Sequence, residues 1–182
     1  MGRTVLAGLL AVGLAASSSG QTRTLAPYVP TPDDVVARML RLAKVGPTDV
    51  VYDLGSGDGR IVIAAARDFG ARGVGIEIDP ALVAKATAAA AAAGVADRAT
   101  FRAEDVRNAM LADATVVTLY LLAASNVTLR PVLTKQLRAG TRIVAHDFPI
   151  GTWQPEVVDT FTDGAGQTRT LFLWNFDGVF RP

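Results

Sequence analysis

No cysteine occurs anywhere in the chain, which excludes disulfides and thiolate metal sites and leaves the redox compartment open. There is one histidine, His146, too few for a histidine metal cluster, so no metal site is expected. Neither sign of charge prevails: 18 Lys and Arg face 17 Asp and Glu, for a net +1. No run of Lys and Arg stands out, so the basic footprint of a nucleic-acid-binding protein is absent, although this leaves an RNA substrate open. No apolar stretch reaches the roughly 20 residues that cross a bilayer.

The apolar stretch at the N-terminus still carries information. Arg3 precedes Val5–Ala16, twelve small and apolar residues, and Ser17-Ser18-Ser19-Gly20 follows. A charged start, a short apolar core and a small-residue cleavage region read as a signal peptide over residues 1–20, cleaved near Ser17 or Gly20. The alternatives are an uncleaved anchor, with membrane association through residues 5–16, and a true start codon further downstream. The expected location is therefore exported or membrane-anchored, or cytoplasmic if the start is misassigned. Arg3 on one side and Arg23 on the other set no orientation. At 182 residues, half of them apolar, the rest is one domain with a full core. Residues 21–31 read as a linker or lid and 32–178 as the folded domain.

The most informative segment is Val50-Val51-Tyr52-Asp53-Leu54-Gly55-Ser56-Gly57-Asp58-Gly59-Arg60, followed at once by Ile61-Val62-Ile63-Ala64-Ala65-Ala66. A buried strand, a glycine turn and a helix in that order form the ligand corner of a doubly wound α/β sheet. A nicotinamide loop reads G-x-G-x-x-G. Here the glycines alternate, with Asp53 before them and Asp58 among them, and two carboxylates would repel a pyrophosphate. S-adenosylmethionine has no phosphate, and its ammonium and sulfonium favour nearby carboxylates. Glu77, 18 residues past Gly59 at the end of the next strand, can accept hydrogen bonds from both ribose hydroxyls. The pair Glu104-Asp105 follows a third short strand. In folds of this kind that position lies beside the adenine, and Asp105 is the favoured acid.

At these residues the chain resembles class I S-adenosylmethionine-dependent methyltransferases. Asp53–Gly59 matches the first motif of that superfamily, Glu77 its second and Asp105 its adenine-side acid. Tyr28-Val29-Pro30-Thr31-Pro32, the stretch Asp53–Ala66, and His146-Asp147-Phe148-Pro149 with Trp153 and Pro155 are similar to the ATP synthase c-subunit lysine methyltransferase family and its bacterial relatives. The resemblance covers roughly Pro27 to Phe176. It implies S-adenosyl-L-methionine as cofactor and a protein or peptide lysine as acceptor. The competing readings are a small-molecule methyltransferase and a non-catalytic cofactor-binding protein. Cofactor contacts are expected from Tyr28, Thr31, Asp53, Gly55, Ser56, Gly57, Gly59, Glu77 and Asp105.

The remaining pattern predicts an α/β, Rossmann-like doubly wound sheet of seven strands, the last antiparallel. A first helix capped by Thr31 or Asp33 runs to about Lys44. Strands are expected at Val50–Leu54, Gly73–Ile78, Ala99–Arg102, Thr115–Leu121 and Thr141–His146. Pro80 opens an alanine-rich helix, and another runs from about Ser125 to Arg138, bent or started by Pro131. Only Asp147–Pro155 separates strand five from the next, so the customary helix there should be missing. Val157–Thr162 and Thr168–Phe176 form a closing hairpin. Catalytic groups belong at the carboxyl ends of strands four and five. The candidates are Tyr120 as a channel wall or a core tyrosine, His146 as a base or a structural residue, and Trp153 over the acceptor or filling the space of the absent helix. Asp58 and Arg60 read as a helix cap and a solvated side chain.

Overall fold

The computed structural model describes residues 24–179. Residues 1–20, read above as a signal peptide or anchor, lie outside the described residues. Among the described residues four α-helices and seven strands follow one another as α1 (Asp33–Leu42), β1 (Val50–Leu54), α2 (Arg60–Phe69), β2 (Arg72–Glu77), α3 (Pro80–Ala92), β3 (Ala99–Ala103), β4 (Val116–Leu119), α4 (Ala123–Gln136), β5 (Arg142–His146), β6 (Val157–Thr162) and β7 (Thr168–Asn175). They build one sheet in the order β3-β2-β1-β4-β5-β7-β6. The first five strands are parallel, and β7 runs antiparallel between β5 and β6. This is the expected doubly wound sheet. No helix lies between β5 and β6.

Side chains alternate across the sheet, as the two-residue period of a strand requires. Tyr52, Leu54, Val117, Leu119, Ile143 and Ala145 pack with α4 on one face. Val51, Val116, Val144, Leu171 and Leu173 pack with α1 and α2 on the other. Asp53, Thr118 and His146 share the parity of this second set, so their positions place them on the α1/α2 face. The chain turns one way from β1 and the other way from β4, which opens a crevice at their carboxyl ends.

Several boundaries differ from the sequence reading. α1 is preceded by Pro32, with no side-chain cap, so neither Thr31 nor Asp33 caps it. Asp34 instead accepts a hydrogen bond from Gly164 N at 2.7 Å, tying α1 to the β6–β7 turn. α4 begins at Ala123 and runs through Pro131, which neither starts nor ends it. A proline there forfeits one helical N–H bond, and the buried Leu129 and Leu133 anchor the turns on both sides. β4 stops at Leu119, so Tyr120 stands beyond the strand.

The amino ends of β1, β4 and β5 are held by one carboxylate. Asp49, 7% exposed, accepts hydrogen bonds from Gly46 N at 2.9 Å and Thr115 Oγ1 at 2.7 Å, and pairs with Arg142. Arg142 Nη1 also reaches Ala43 O at 2.7 Å, at the end of α1. Asp49→Ala leaves a half-buried guanidinium and a backbone N–H without their acceptor. It should cost about 2–3 kcal/mol of stability in denaturant melts, with the slope unchanged. A loss below about 0.5 kcal/mol, the range of ordinary surface substitutions, would show that the network carries no load.

Candidate active site

A cavity of about 290 Å³ fills the crevice between the ends of β1 and β4. Its floor is the turn after β1. Gly55 N and Ser56 N donate to Ile76 O at 2.8 and 3.0 Å, which lashes the turn to β2. Gly57 sits at φ 54° and a Cβ on it would meet the Tyr28 ring at 2.6 Å, so this position requires glycine. Gly59 faces elsewhere: a Cβ there would strike Phe101 and Ala86, so this glycine lets α3 and β3 approach the start of α2. It does not line the cavity.

Acids line the cavity walls. Glu77, 8% exposed, accepts from Gly57 N at 2.9 Å through Oε2 and from Asp79 N at 3.0 Å through Oε1. These bonds fix the carboxylate and leave further lone pairs on both oxygens. Asp53, 3% exposed, accepts from Thr118 Oγ1 at 2.7 Å. Burial, with the charges of Glu77 and Asp58, pushes the Asp53 pKa up to about 7 against the opposing hydrogen bond from Thr118. Asp105 lines the cavity and Glu104 does not. The Asp105 carboxylate caps the short turn at Val106–Asn108 and forks onto Arg107, which holds its pKa below the ordinary carboxylate range. Ser56 lines the cavity, but its hydroxyl is buried against Gly75, where a Cβ would meet it at 2.6 Å.

The segment before α1 closes over the cavity, and residues 24–29 and Thr31 line it. One end is held by Ser125 of α4, whose hydroxyl donates to Leu25 O. The other is held by Arg60 Nη1, which donates to Thr31 O at 2.9 Å. Arg60 also forks onto Asp58 through Nε at 3.0 Å and Nη2 at 2.7 Å. Arg60 is therefore a latch rather than a solvated side chain, and Asp58 is its partner more than a helix cap. Tyr28 lies on Gly57 with Lys85 Nζ 5.9 Å from its ring centre.

The three catalytic candidates separate. Tyr120 lines the cavity beside Leu121. His146 does not: it is 0% exposed and its ring lies 4.0 Å from that of Tyr120, centre to centre. Burial pushes its pKa well down, against the raising effect of Asp147. Trp153 also stands off the cavity. It packs against the α4-side core with the Arg130 guanidinium 5.4 Å from its ring centre, so it fills the space of the absent helix. Sequence reasoning missed Thr118 and the Ser125 tether. Thr118 was within reach of it, as the lone hydroxyl in Val116-Val117-Thr118-Leu119 and in register with Asp53.

Comparison with known proteins assigns the family. Residues 53–157 match the ANTKMT methyltransferase domain. The chain belongs to this methyltransferase family. It is 45% identical over 149 residues to a protein-lysine N-methyltransferase of Saccharolobus islandicus, covering 81% of this chain and 92% of that one. It is 34% identical over 155 residues to the adenine nucleotide translocase lysine N-methyltransferase of Mus musculus, covering 85% of this chain but only 64% of that one. A crystal structure described as an RNA methyltransferase from Salinibacter ruber, in complex with S-adenosyl-L-homocysteine, superposes with a TM-score of 0.77 at 56% identity, covering 82% of this chain and 94% of that one. The methyltransferase uses S-adenosylmethionine as its methyl donor. The glycine floor and the acid walls, with Asp53, Glu77, Asp79 and Asp105, suit a ligand that is cationic and rich in hydroxyls.

The raised Asp53 pKa gives the site a pH dependence. An ammonium set against Asp53, the one cationic group that S-adenosylhomocysteine shares with S-adenosylmethionine, favours the ionised carboxylate, so binding below pH 7 should expel a proton. Affinity for S-adenosylhomocysteine should fall as pH drops through that range, approaching tenfold per unit. Ligand-free stability moves the other way, since a raised folded-state pKa means that ionising Asp53 on the way up to pH 7 opposes folding. Calorimetry at pH 6 in two buffers of different ionisation enthalpy should detect the released proton, and Asp53→Asn should remove it. Equal heats in both buffers would refute the assignment.

Proposed function

We propose that this methyltransferase transfers the methyl group of S-adenosylmethionine to lysine side chains of a protein acceptor. The observation that carries this reading is the 45% identity to a protein-lysine N-methyltransferase along 92% of that relative's length. Glu77 is the ribose acceptor, Asp53 faces the cationic end of the cofactor and Asp105 stands at the adenine side. When bound, S-adenosylmethionine supplies an electrophilic methyl group with a good leaving group. The chain's own work is to orient the acceptor beside Tyr120, keep water out under the segment 24–31 and favour the neutral amine. Burial beside a positive charge lowers an amine's pKa, which helps the last of these.

RNA is the second reading, favoured by the name of the Salinibacter ruber structure. Electrostatics count against it. The chain has a net charge of only +1 with no run of Lys and Arg, and the guanidinium of Arg60 at the cavity is committed to Asp58 and Thr31. A phosphodiester chain is recognised chiefly by free cations. Transfer of labelled methyl from S-adenosylmethionine into protein and RNA pools decides between them. Label recovered as methyl-lysine after acid hydrolysis supports the proposal, and label confined to RNA overturns it.

Glu77→Ala should weaken S-adenosylhomocysteine binding by about 1.5–3 kcal/mol, the scale of hydrogen bonds to a charged group. Calorimetry showing wild-type affinity would mean that the ribose lies elsewhere. Export or anchoring through residues 1–20 is part of the same proposal, and the mature N-terminus, read by mass spectrometry from the native host, tests it. A chain beginning at Met1 would leave only the anchor or a cytoplasmic enzyme.

A further inference from the structure

The one histidine of the chain sits where a base would be sought, yet its surroundings are those of a packing residue. His146 is fully buried, and neither ring nitrogen has a hydrogen-bond partner. Nε2 lies 3.3 Å from Asp147 Oδ2, close enough for attraction but out of line for a hydrogen bond. One face of the ring meets Tyr120 at 4.0 Å with the planes 30° apart. Tyr120 has Phe148 as a second aromatic neighbour at 6.5 Å. Of the three rings, only that of Tyr120 reaches the cavity wall.

The residue next to the imidazole is held by the closing hairpin. Asp147 adopts φ 59°, a left-handed conformation uncommon for a side-chain-bearing residue. It keeps this conformation because β7 grips it on both sides. Asp147 N donates to Thr170 O at 2.7 Å, and Asp147 Oδ1 accepts from Thr170 N at 3.0 Å. Arg169 Nη1 reaches Asp147 Oδ2 at 3.3 Å, and Arg169 Nε reaches Asp163 Oδ2 at 2.8 Å. Asp163, 5% exposed, closes the β6–β7 turn by accepting from Ala165 N and Gln167 N. The closing hairpin thus fixes Asp147, the residue next to the imidazole, and the imidazole itself is held by packing.

We infer that His146 is a positioning residue, a neutral ring that fixes Tyr120 against the acceptor end of the cavity and exchanges no proton with the acceptor. The inference rests on the methyl-transfer reading for what Tyr120 faces, but the support itself is a property of the fold. The groups facing His146 are Asp147, Arg169 and Asp163, with the Tyr120 ring above it. An imidazole with no hydrogen bonds and no path to solvent does for Tyr120 what another planar ring would do.

The test uses the fact that the chain has a single histidine. In the untagged full chain labelled with ¹⁵N-histidine, the imidazole should stay neutral across about pH 5.5–8, where an ordinary histidine titrates. Its nitrogen shifts should not move when S-adenosylhomocysteine is added. His146→Ala should lower kcat for methyl transfer by about tenfold or more, as a misplaced acceptor wall would, with S-adenosylhomocysteine affinity held within about twofold. His146→Phe should restore most of the rate, with a pH–rate profile like that of the wild type. The Tyr120 ring resonances should move in His146→Ala whether or not an acceptor is known. Titration of the imidazole in that range, or His146→Phe folded but as inactive as His146→Ala, would make His146 a proton carrier. Full activity in His146→Ala, with Tyr120 unmoved, would also overturn the inference. Failure of wild-type protein to methylate any lysine would instead count against the proposed acceptor and leave the NMR result standing.

Discussion

A carboxylate buried at the end of a parallel strand is the constraint around which this molecule is arranged. Asp53 sits at the carboxyl end of β1 and is almost wholly removed from water. Among the described residues its one side-chain partner is the Thr118 hydroxyl from the neighbouring strand. An isolated charge in such a place is unfavourable, and the ligand-free fold answers by raising the group's pKa. A cationic ligand removes the conflict. Burial that is a local cost for the fold would become a source of affinity in a complex that seats a cation against Asp53.

The same economy governs the covering segment. Its residues would be an ordinary linker without two tethers from opposite sides of the crevice, Ser125 on α4 and Arg60 on α2. Arg60 is held straight by Asp58, one of the acids of the glycine turn. The turn that forms the floor thus also sets the cover, and Tyr28 closes onto Gly57 because that residue has no Cβ. Floor, wall and cover share residues, so changes at Asp58 or Arg60 act on all three.

The shortened connection after β5 has consequences at both faces of the sheet. On the α4 side, Trp153 and Arg130 occupy the room that a helix would take. On the α1 side, the closing hairpin comes near enough for Arg169 and Thr170 to grip Asp147, and Asp34 ties the hairpin tip to α1. Where the helix is absent, a brace of hydrogen bonds from β7 holds the end of β5.

Much of this was legible in the chain. The alternating glycines after a β-branched run, and acids at the ends of two strands, identify the fold and the cofactor because close backbone approach and cation binding permit few other residues. The strand count and the missing helix follow from segment lengths alone. What sequence could not decide was direction and partnership. Gly55, Gly57 and Gly59 read as one motif, yet Gly59 turns toward Phe101 and Ala86, since which side a turn presents depends on what packs behind it. His146 and Trp153 stand at the right depth in the chain but not at the wall, because the Tyr120 ring stacked on His146 takes the wall and Trp153 packs against the α4-side core. Arg60 looked solvated because its partners include a carbonyl 29 residues away. Residue type and spacing determined the chemistry this protein can hold; the packing of distant segments determined which side chains meet it, because contacts between such segments exist only once the chain is folded.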